Sequence, residues 1–287
     1  MHRRDILTLT AAGAALTALP AQAAPRKPLD LFVRDWGQGR PLVFLAGWTL
    51  TSDTWGYVAA PLARRGFRAI AYDRRGHGRS PDPGGGYDFD TLADDLDALL
   101  ESRDLTNVVL VAHSMGGGEA VRWFARHGGG RVAKLVLAAP ATPCIMRRPD
   151  NPMGVPADML DANRALMAKD FPGWMDANAA PFFTPETSEG VKTWVKAEMA
   201  RTSLQALLEC NRALSEADFR PDLGKVSVPT LVLHGDKDAS APLDFTGRRT
   251  AAGVPGARLE VYEGAPHGLF VSHAERLARD IATFAGA

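Results

Sequence analysis

Six short apolar runs constrain this chain more than any other feature. They fall at 41–46 (PLVFLA), 67–72 (FRAIAY), 107–112 (NVVLVA), 135–139 (LVLAA), 230–234 (TLVLH) and 258–262 (RLEVY). A strand with one wet face alternates apolar and polar residues, whereas a strand covered on both faces does not. Most of these runs barely alternate, so each needs a covering layer on both sides. Helical patterns between the runs can supply those layers. Over 87–103, Phe89, Leu92, Leu96, Leu99 and Leu100 share one helical face, while Asp90, Asp94, Asp95 and Asp97 fall elsewhere. Further helices are predicted at 115–127 and 269–284. Strands alternating with helices predict an α/β chain with a doubly wound, mostly parallel sheet.

The rhythm breaks between 141 and 228, where no strand pattern occurs. That stretch carries Met146, Met153, Met159, Met167, Met175 and Met199, six of the chain's eight methionines. It also carries Phe171, Trp174, Phe182, Phe183 and Trp194. Methionine adapts to irregular shapes, so a helical cap over an apolar ligand site is expected here. The domain reading is a core made of 24–140 and 229–287, with a cap at 141–228. Ordinary packing against the sheet accounts for most of these side chains. Trp174, Phe182 and Phe183, together with Trp48 from the core, are the candidates for lining a pocket.

Lys+Arg and Asp+Glu are equal at 33 each. With no net positive field, general binding to nucleic acid or to an anionic membrane is not expected. Two cysteines are too few for a disulfide scaffold or a thiolate zinc site. No His/Cys/carboxylate cluster stands at ligand spacing, so no metal or other cofactor is expected. The first residues carry Arg3-Arg4, a weakly apolar run over 6–19, Pro20, and then Ala21-Gln22-Ala23. This is the layout of a twin-arginine export signal over 1–23, cleaved after Ala23. The run is too short and too rich in Ala, Thr and Gly for a membrane span, and the mature chain has no other candidate. The mature protein is therefore expected to be periplasmic or secreted. Export would allow Cys144 and Cys210 to pair, although their spacing does not require it.

The chemistry concentrates at strand ends. Ala112-His113-Ser114-Met115-Gly116-Gly117 follows an apolar run and opens a helix. A serine on such a turn lifts its hydroxyl above the sheet edge, and small residues two before and two after let the backbones pass. Ala112 takes the place usually held by glycine. Serine needs a base, and the base needs an acid to orient it. The run 230–234 leads into Gly235-Asp236-Lys237-Asp238, and the run 258–262 into Gly264-Ala265-Pro266-His267-Gly268. Both loops belong to the carboxyl edge of the sheet, where open α/β sheets bind ligands. Asp238 lies deeper in its loop than Asp236 and is the favoured acid, with Asp236 left to fix the turn. His267 is the only histidine in a Gly/Pro loop beyond a late strand. His234 reads as a buried strand end, His77 as a structural turn, His113 as pointing away from Ser114, and His273 as helix surface. An oxyanion hole needs two backbone N–H groups. Met115, just after the serine, and Trp48, in the loop after 41–46, are the candidates.

The stretches LAGWTLTSDTW, AYDRRGHGRS, AHSMGGG, HGDKD and EGAPHG resemble those of α/β-hydrolases known as cofactor-free (non-haem) haloperoxidases or perhydrolase/arylesterases. The resemblance runs from about Phe32 to the C-terminus and is weakest in the cap. It implies the α/β-hydrolase fold, Asp238 as acid, His267 as base, and Trp48 and Met115 as oxyanion donors. Ala46 stands where the family usually has His, and Thr49 where perhydrolysing members often have Pro. Both departures favour ester hydrolysis over perhydrolysis. The function expected is a serine hydrolase of small carboxylic esters, with perhydrolase/haloperoxidase activity as a secondary reaction. C–C bond or lactone hydrolysis on the same triad is the alternative, followed by a non-catalytic ligand-binding role. Epoxide hydrolase or dehalogenase chemistry is disfavoured, because Ser114 fills the place that those enzymes give to Asp.

Overall fold

The computed structural model describes residues 29–286. The export signal expected at 1–23 lies outside the described residues. Seven strands form one sheet in the order β1-β3-β2-β4-β5-β6-β7. They are β1 (Val33–Trp36), β2 (Arg40–Leu45), β3 (Phe67–Tyr72), β4 (Val108–His113), β5 (Val132–Ala138), β6 (Thr230–Gly235) and β7 (Arg258–Tyr262). β1 runs antiparallel to β3, and every other neighbouring pair is parallel.

The apolar runs bury both faces of each central strand. Val43 and Leu45 of β2 and Leu110 and Ala112 of β4 face one cluster. That cluster is closed by α2 (Phe89–Ser102) and α3 (Met115–His127), through Leu92, Leu96, Val121 and Phe124. The alternate residues, Leu42 and Phe44 of β2 and Val109 and Val111 of β4, face the opposite cluster. There α1 (Gly56–Arg64) contributes Val58 and Leu62. The central strands are thus covered on both faces, which is why their sequences show so little alternation. Asp88 starts α2 by accepting the Thr91 N–H at 2.9 Å.

Six strands coincide with the expected runs, and one was not expected. β1 reads VRDW and is half-exposed at the sheet edge, so it has no continuous apolar run. Between β5 and β6 come α4 (Ala157–Lys169), α5 (Phe171–Asn178), α6 (Glu189–Met199), α7 (Leu204–Glu216) and α8 (Arg220–Leu223). A short α9 (Gly247–Gly253) follows β6. The single helix expected over 269–284 is corrected to two. α10 (Leu269–Ser272) and α11 (Ala274–Gly286) meet at His273, whose φ of −127° is not helical. The apolar period of α11 continues through Leu277, Ile281 and Phe284 onto the second cluster, so pattern alone could not reveal the break. Cys144 and Cys210 are both buried and free.

Candidate active site

Ser114 sits between β4 and α3 with φ 53° and ψ −116°. A non-glycine residue in that region is strained, and such strain persists only where the surroundings fix the backbone. They do so here. The Ser114 N–H donates to the Ala138 carbonyl at 3.1 Å, and its own carbonyl accepts from Gly117 at 2.9 Å and Ala141 at 3.2 Å. Two residues on, a Cβ at Gly116 would lie 2.8 Å from the Leu45 carbonyl oxygen. The start of α3 is therefore pressed against the end of β2, and only glycine permits that approach.

The loops after β6 and β7 deliver the partners. His267 Nε2 lies 2.9 Å from Ser114 Oγ, and His267 Nδ1 lies 2.7 Å from Asp238 Oδ2. All three residues are buried. The other carboxylate oxygen of Asp238 accepts the backbone N–H groups of Ser240 at 2.9 Å and Ala241 at 2.7 Å. Burial alone would raise this carboxyl. The neighbouring His267, hydrogen bonds from His234 and His267, and the Ala241 N–H together hold it well below the usual carboxylate range. Asp236 is exposed and does something else. Its Oδ1 accepts the Gly264 N–H at 2.7 Å, which ties the acid loop to the histidine loop.

Two histidines that sequence reasoning set aside support this line. His234 Nε2 donates to the Ala241 carbonyl at 2.8 Å and lies 3.2 Å from Asp238 Oδ2. His113 Nε2 donates to the His267 carbonyl at 3.0 Å, which anchors the backbone of His267. Burial, reinforced by the charge of His267, pushes the His113 imidazole down to about 3, so it stays neutral. Both sit at the ends of strands on the site's edge. That position was the available signal.

The candidate oxyanion donors flank Ser114. Met115 opens α3, so its N–H has no acceptor within the helix. Trp48 lies in the loop after β2, and its N–H bonds to no other described backbone group. A buried ion pair ties these two segments together. Arg74 Nη2 donates to the Ala46 carbonyl at 2.7 Å and Nη1 to the Gly47 carbonyl at 3.3 Å. Its Nε donates at 2.8 Å to Glu119 of α3. Arg74 and Glu119 carried no sequence signal for this role, because they meet only through the fold. From the cap, Trp48 Nε1 donates to the Leu207 carbonyl at 2.9 Å, and Thr202 Oγ1 donates to the Thr49 carbonyl at 3.0 Å. Thr49 itself has φ 62°, a costly conformation for a β-branched residue.

A cavity of about 750 Å³ opens above Ser114 and His267, between the sheet edge and the cap. Trp48, Trp174, Phe182 and Phe183 all line it. Trp174 packs edge-on to Trp48 with ring centres 5.7 Å apart, and Phe182 edge-on to His267 at 5.5 Å. Among the described residues, no three His, Cys, Asp or Glu side chains converge as a metal site. No helix there is long and apolar enough to cross a membrane.

A mostly parallel sandwiched sheet, with Ser, Asp and His converging in that order at its carboxyl edge, defines the α/β-hydrolase fold. The model of the alpha/beta hydrolase family matches residues 42–280, and the chain belongs to that family of enzymes. A non-haem chloroperoxidase of Kitasatospora aureofaciens is 42% identical over 269 residues, covering 90% of this chain and 97% of that protein. A bifunctional esterase/perhydrolase of Acinetobacter calcoaceticus is 35% identical over 266 residues, covering 89% and 96%. Among solved structures, a bromoperoxidase from Bacillus anthracis superposes with a TM-score of 0.87 at 34% identity, covering 91% of this chain and 97% of that one. These likenesses place the chain in the non-haem haloperoxidase branch.

Proposed function

We propose that this enzyme hydrolyses small carboxylic esters through an acyl-enzyme on Ser114. The observation that carries this reading is the unbroken hydrogen-bonded line from Ser114 through His267 to Asp238. His267 Nε2 takes the hydroxyl proton as Oγ attacks the ester carbonyl. Asp238, ionised at any physiological pH, holds the imidazole by Nδ1 and steadies the imidazolium. The amides of Trp48 and Met115 receive the developing oxyanion. His267 then returns its proton to the leaving alkoxide. Water, deprotonated by the same nitrogen, next attacks the acyl group and releases the acid and free Ser114. The relative named an esterase/perhydrolase suggests a second outcome for the acyl-enzyme. Hydrogen peroxide in place of water would release a peracid, and halide oxidation by that peracid would be a secondary reaction in solution.

The test is turnover of p-nitrophenyl esters from acetate to octanoate by the wild type beside Ser114→Ala. Loss of at least about 10³-fold in the variant supports the reading. Equal, near-background rates in both proteins overturn it. We infer likewise that the mature chain lies outside the cytoplasm, because Arg3-Arg4 and Ala21-Gln22-Ala23 have the layout of an export signal. Fractionation of cells expressing the full chain and an Arg3→Lys, Arg4→Lys variant tests that part. Retention of only the variant in the cytoplasm is expected.

A further inference from the structure

The cavity above Ser114 is apolar over most of its wall, yet its inner polar groups share one chemical bias. Asn163 of α4 and Asn211 and Ser215 of α7 line it. Asn163 Oδ1 accepts the indole N–H of Trp174 at 2.8 Å. Asn211 Oδ1 faces Arg164 Nη1 at 3.5 Å. Trp and Arg side chains can only donate, so both carboxamides must turn their oxygens to these partners. The Nδ2 groups are left over. Neither Nδ2 bonds to another described residue, and neither is sealed from solvent. Ser215 is spent in the same sense. Its hydroxyl donates to the Asn211 carbonyl at 2.6 Å and accepts from Arg164 at 3.3 Å. Arg164 is 7% exposed, and its Nε has no partner. It stands behind this wall and consumes acceptors rather than offering them. Asn178 is the opposite case: its Nδ2 donates to the Trp174 carbonyl at 2.7 Å, which leaves its oxygen at the exposed rim.

Asn163 and Asn211 therefore offer N–H donors with their oxygens already engaged, and Ser240, also on this wall, has a hydroxyl with no partner among the described residues. Asn211 lies one turn along α7 from Leu207, whose carbonyl holds the Trp48 indole, so it is about 6 Å farther along the helix axis from that anchor. An all-alkyl ester would desolvate both carboxamides without replacing their hydrogen bonds, which is costly. The charge of Arg164 is already met by Asp161 at 2.6 Å, and that of Lys196, also on the cavity wall, by Asp176 at 2.9 Å. Nothing in the wall calls for a formal anion.

We propose that Asn163 and Asn211 form a subsite for a neutral carbonyl oxygen remote from the scissile ester. The substrates would then be esters bearing a ketone, amide or second ester carbonyl along an otherwise apolar chain. This deepens the ester-hydrolase reading above and rests on it.

The test compares p-nitrophenyl 5-oxohexanoate, 7-oxooctanoate and 9-oxodecanoate with their alkyl parents. A mirror set of oxo-alkyl acetates probes the alcohol half of the ester. Asn163→Asp and Asn211→Asp keep an oxygen to meet Trp174 or Arg164 and replace the N–H donors with a second carboxylate oxygen and a negative charge. The expected result is a fall of about fivefold in the oxo-to-alkyl ratio of kcat/KM in each variant, at the chain length that reaches. An unchanged ratio at every length in both sets overturns the subsite. The same ligand pairs are titrated against Ser114→Ala by quenching of tryptophan emission, where no turnover is needed. If no ester is hydrolysed but the binding ratio still falls in the Asp variants, the subsite stands and the esterase reading fails. If hydrolysis depends on Ser114 and both ratios stay flat, the esterase stands and the subsite fails.

Discussion

The carboxyl edge of the sheet and the cap that faces it are built by different rules. At the edge, the buried polar groups around Ser114 are mostly engaged, with the Nδ1 atoms of His113 and His234 left without a partner. Asp238 holds two backbone N–H groups and two imidazoles, His113 braces the His267 backbone, and Arg74 spans two loops and α3. In the cap, packing dominates. Met167, Phe171, Met175 and Leu207 form a small apolar cluster of their own, while Met159 and Leu166 remain 60% exposed at the cavity. A network of committed hydrogen bonds has one arrangement, whereas an apolar wall can be repacked at modest cost. On the proposed function, the sheet edge holds the geometry for chemistry and the cap holds the shape for selection. Substitutions at the edge should collapse the rate, and substitutions in the cap should change which ester is preferred.

The largest effect is expected at Asp238. Asp238→Asn keeps the shape but presents an amide to His267 Nδ1, which favours the wrong tautomer. A fall of roughly 10⁴-fold in kcat is expected, with little change in KM for any ester length. Steady-state kinetics on acetate and octanoate check this. A loss confined to KM would break the contrast between edge and cap.

Next comes a pH effect on stability from two buried histidines. His113 and His77 are both pushed down to about 3 by burial, from the ordinary histidine value of 6.5. The unfolded chain therefore binds protons at these two sites between about pH 6.5 and 3, while the native protein does not. Their contribution to stability is complete above about pH 6.5 and is lost as the pH falls toward 3. Thermal melts across that window should show a falling Tm, less steep in His113→Gln than in the wild type. Parallel slopes for the two proteins would remove His113 from the account.

What could be read from the sequence follows the same division. The central strands were legible because two-sided burial leaves a local mark, and the loops after β4, β6 and β7 could be marked because each follows such a strand. β1 was not legible, since an exposed edge strand of four residues carries no such run. Nor was the break at His273, which interrupts the backbone without interrupting the apolar period. Arg74, Glu119, His113 and His234 were not legible as partners of the site. Their contacts join residues far apart in the chain, and no short spacing records them. The cap's aromatic and methionine content announced a wall, but not that Asn163 and Asn211 would interrupt it.

The bonds that join the two regions should give intermediate effects. Thr202, in the turn between α6 and α7, donates to the carbonyl of Thr49, whose backbone is held at positive φ just after Trp48. Removing the hydroxyl leaves that carbonyl buried without its donor and frees the loop that carries the Trp48 N–H. Thr202→Val should lower kcat about threefold to tenfold across all ester lengths, and Thr202→Ser should restore it. A merely structural role would lower Tm without this split between the Val and Ser variants. A dependence on chain length would assign Thr202 to the cap's selecting function instead.

The smallest effect on stability, and the sharpest on selection, is expected at Leu166. It lines the cavity from α4 yet is 60% exposed, so its side chain gives the fold little and the substrate's outer chain an apolar surface. Leu166→Ser should change stability by less than about 0.5 kcal/mol. Each buried methylene of a substrate contributes about 0.8 kcal/mol, so losing part of one apolar contact should cost a few-fold. That loss should appear for octanoate, whose chain can reach the rim, and not for acetate, which ends near Ser114. A rise in KM for octanoate alone, with kcat held, is the expected signature. An equal change for both esters would mean that α4 moves as a unit when its rim is altered, and the cap would then act on the site through its position as well as its shape.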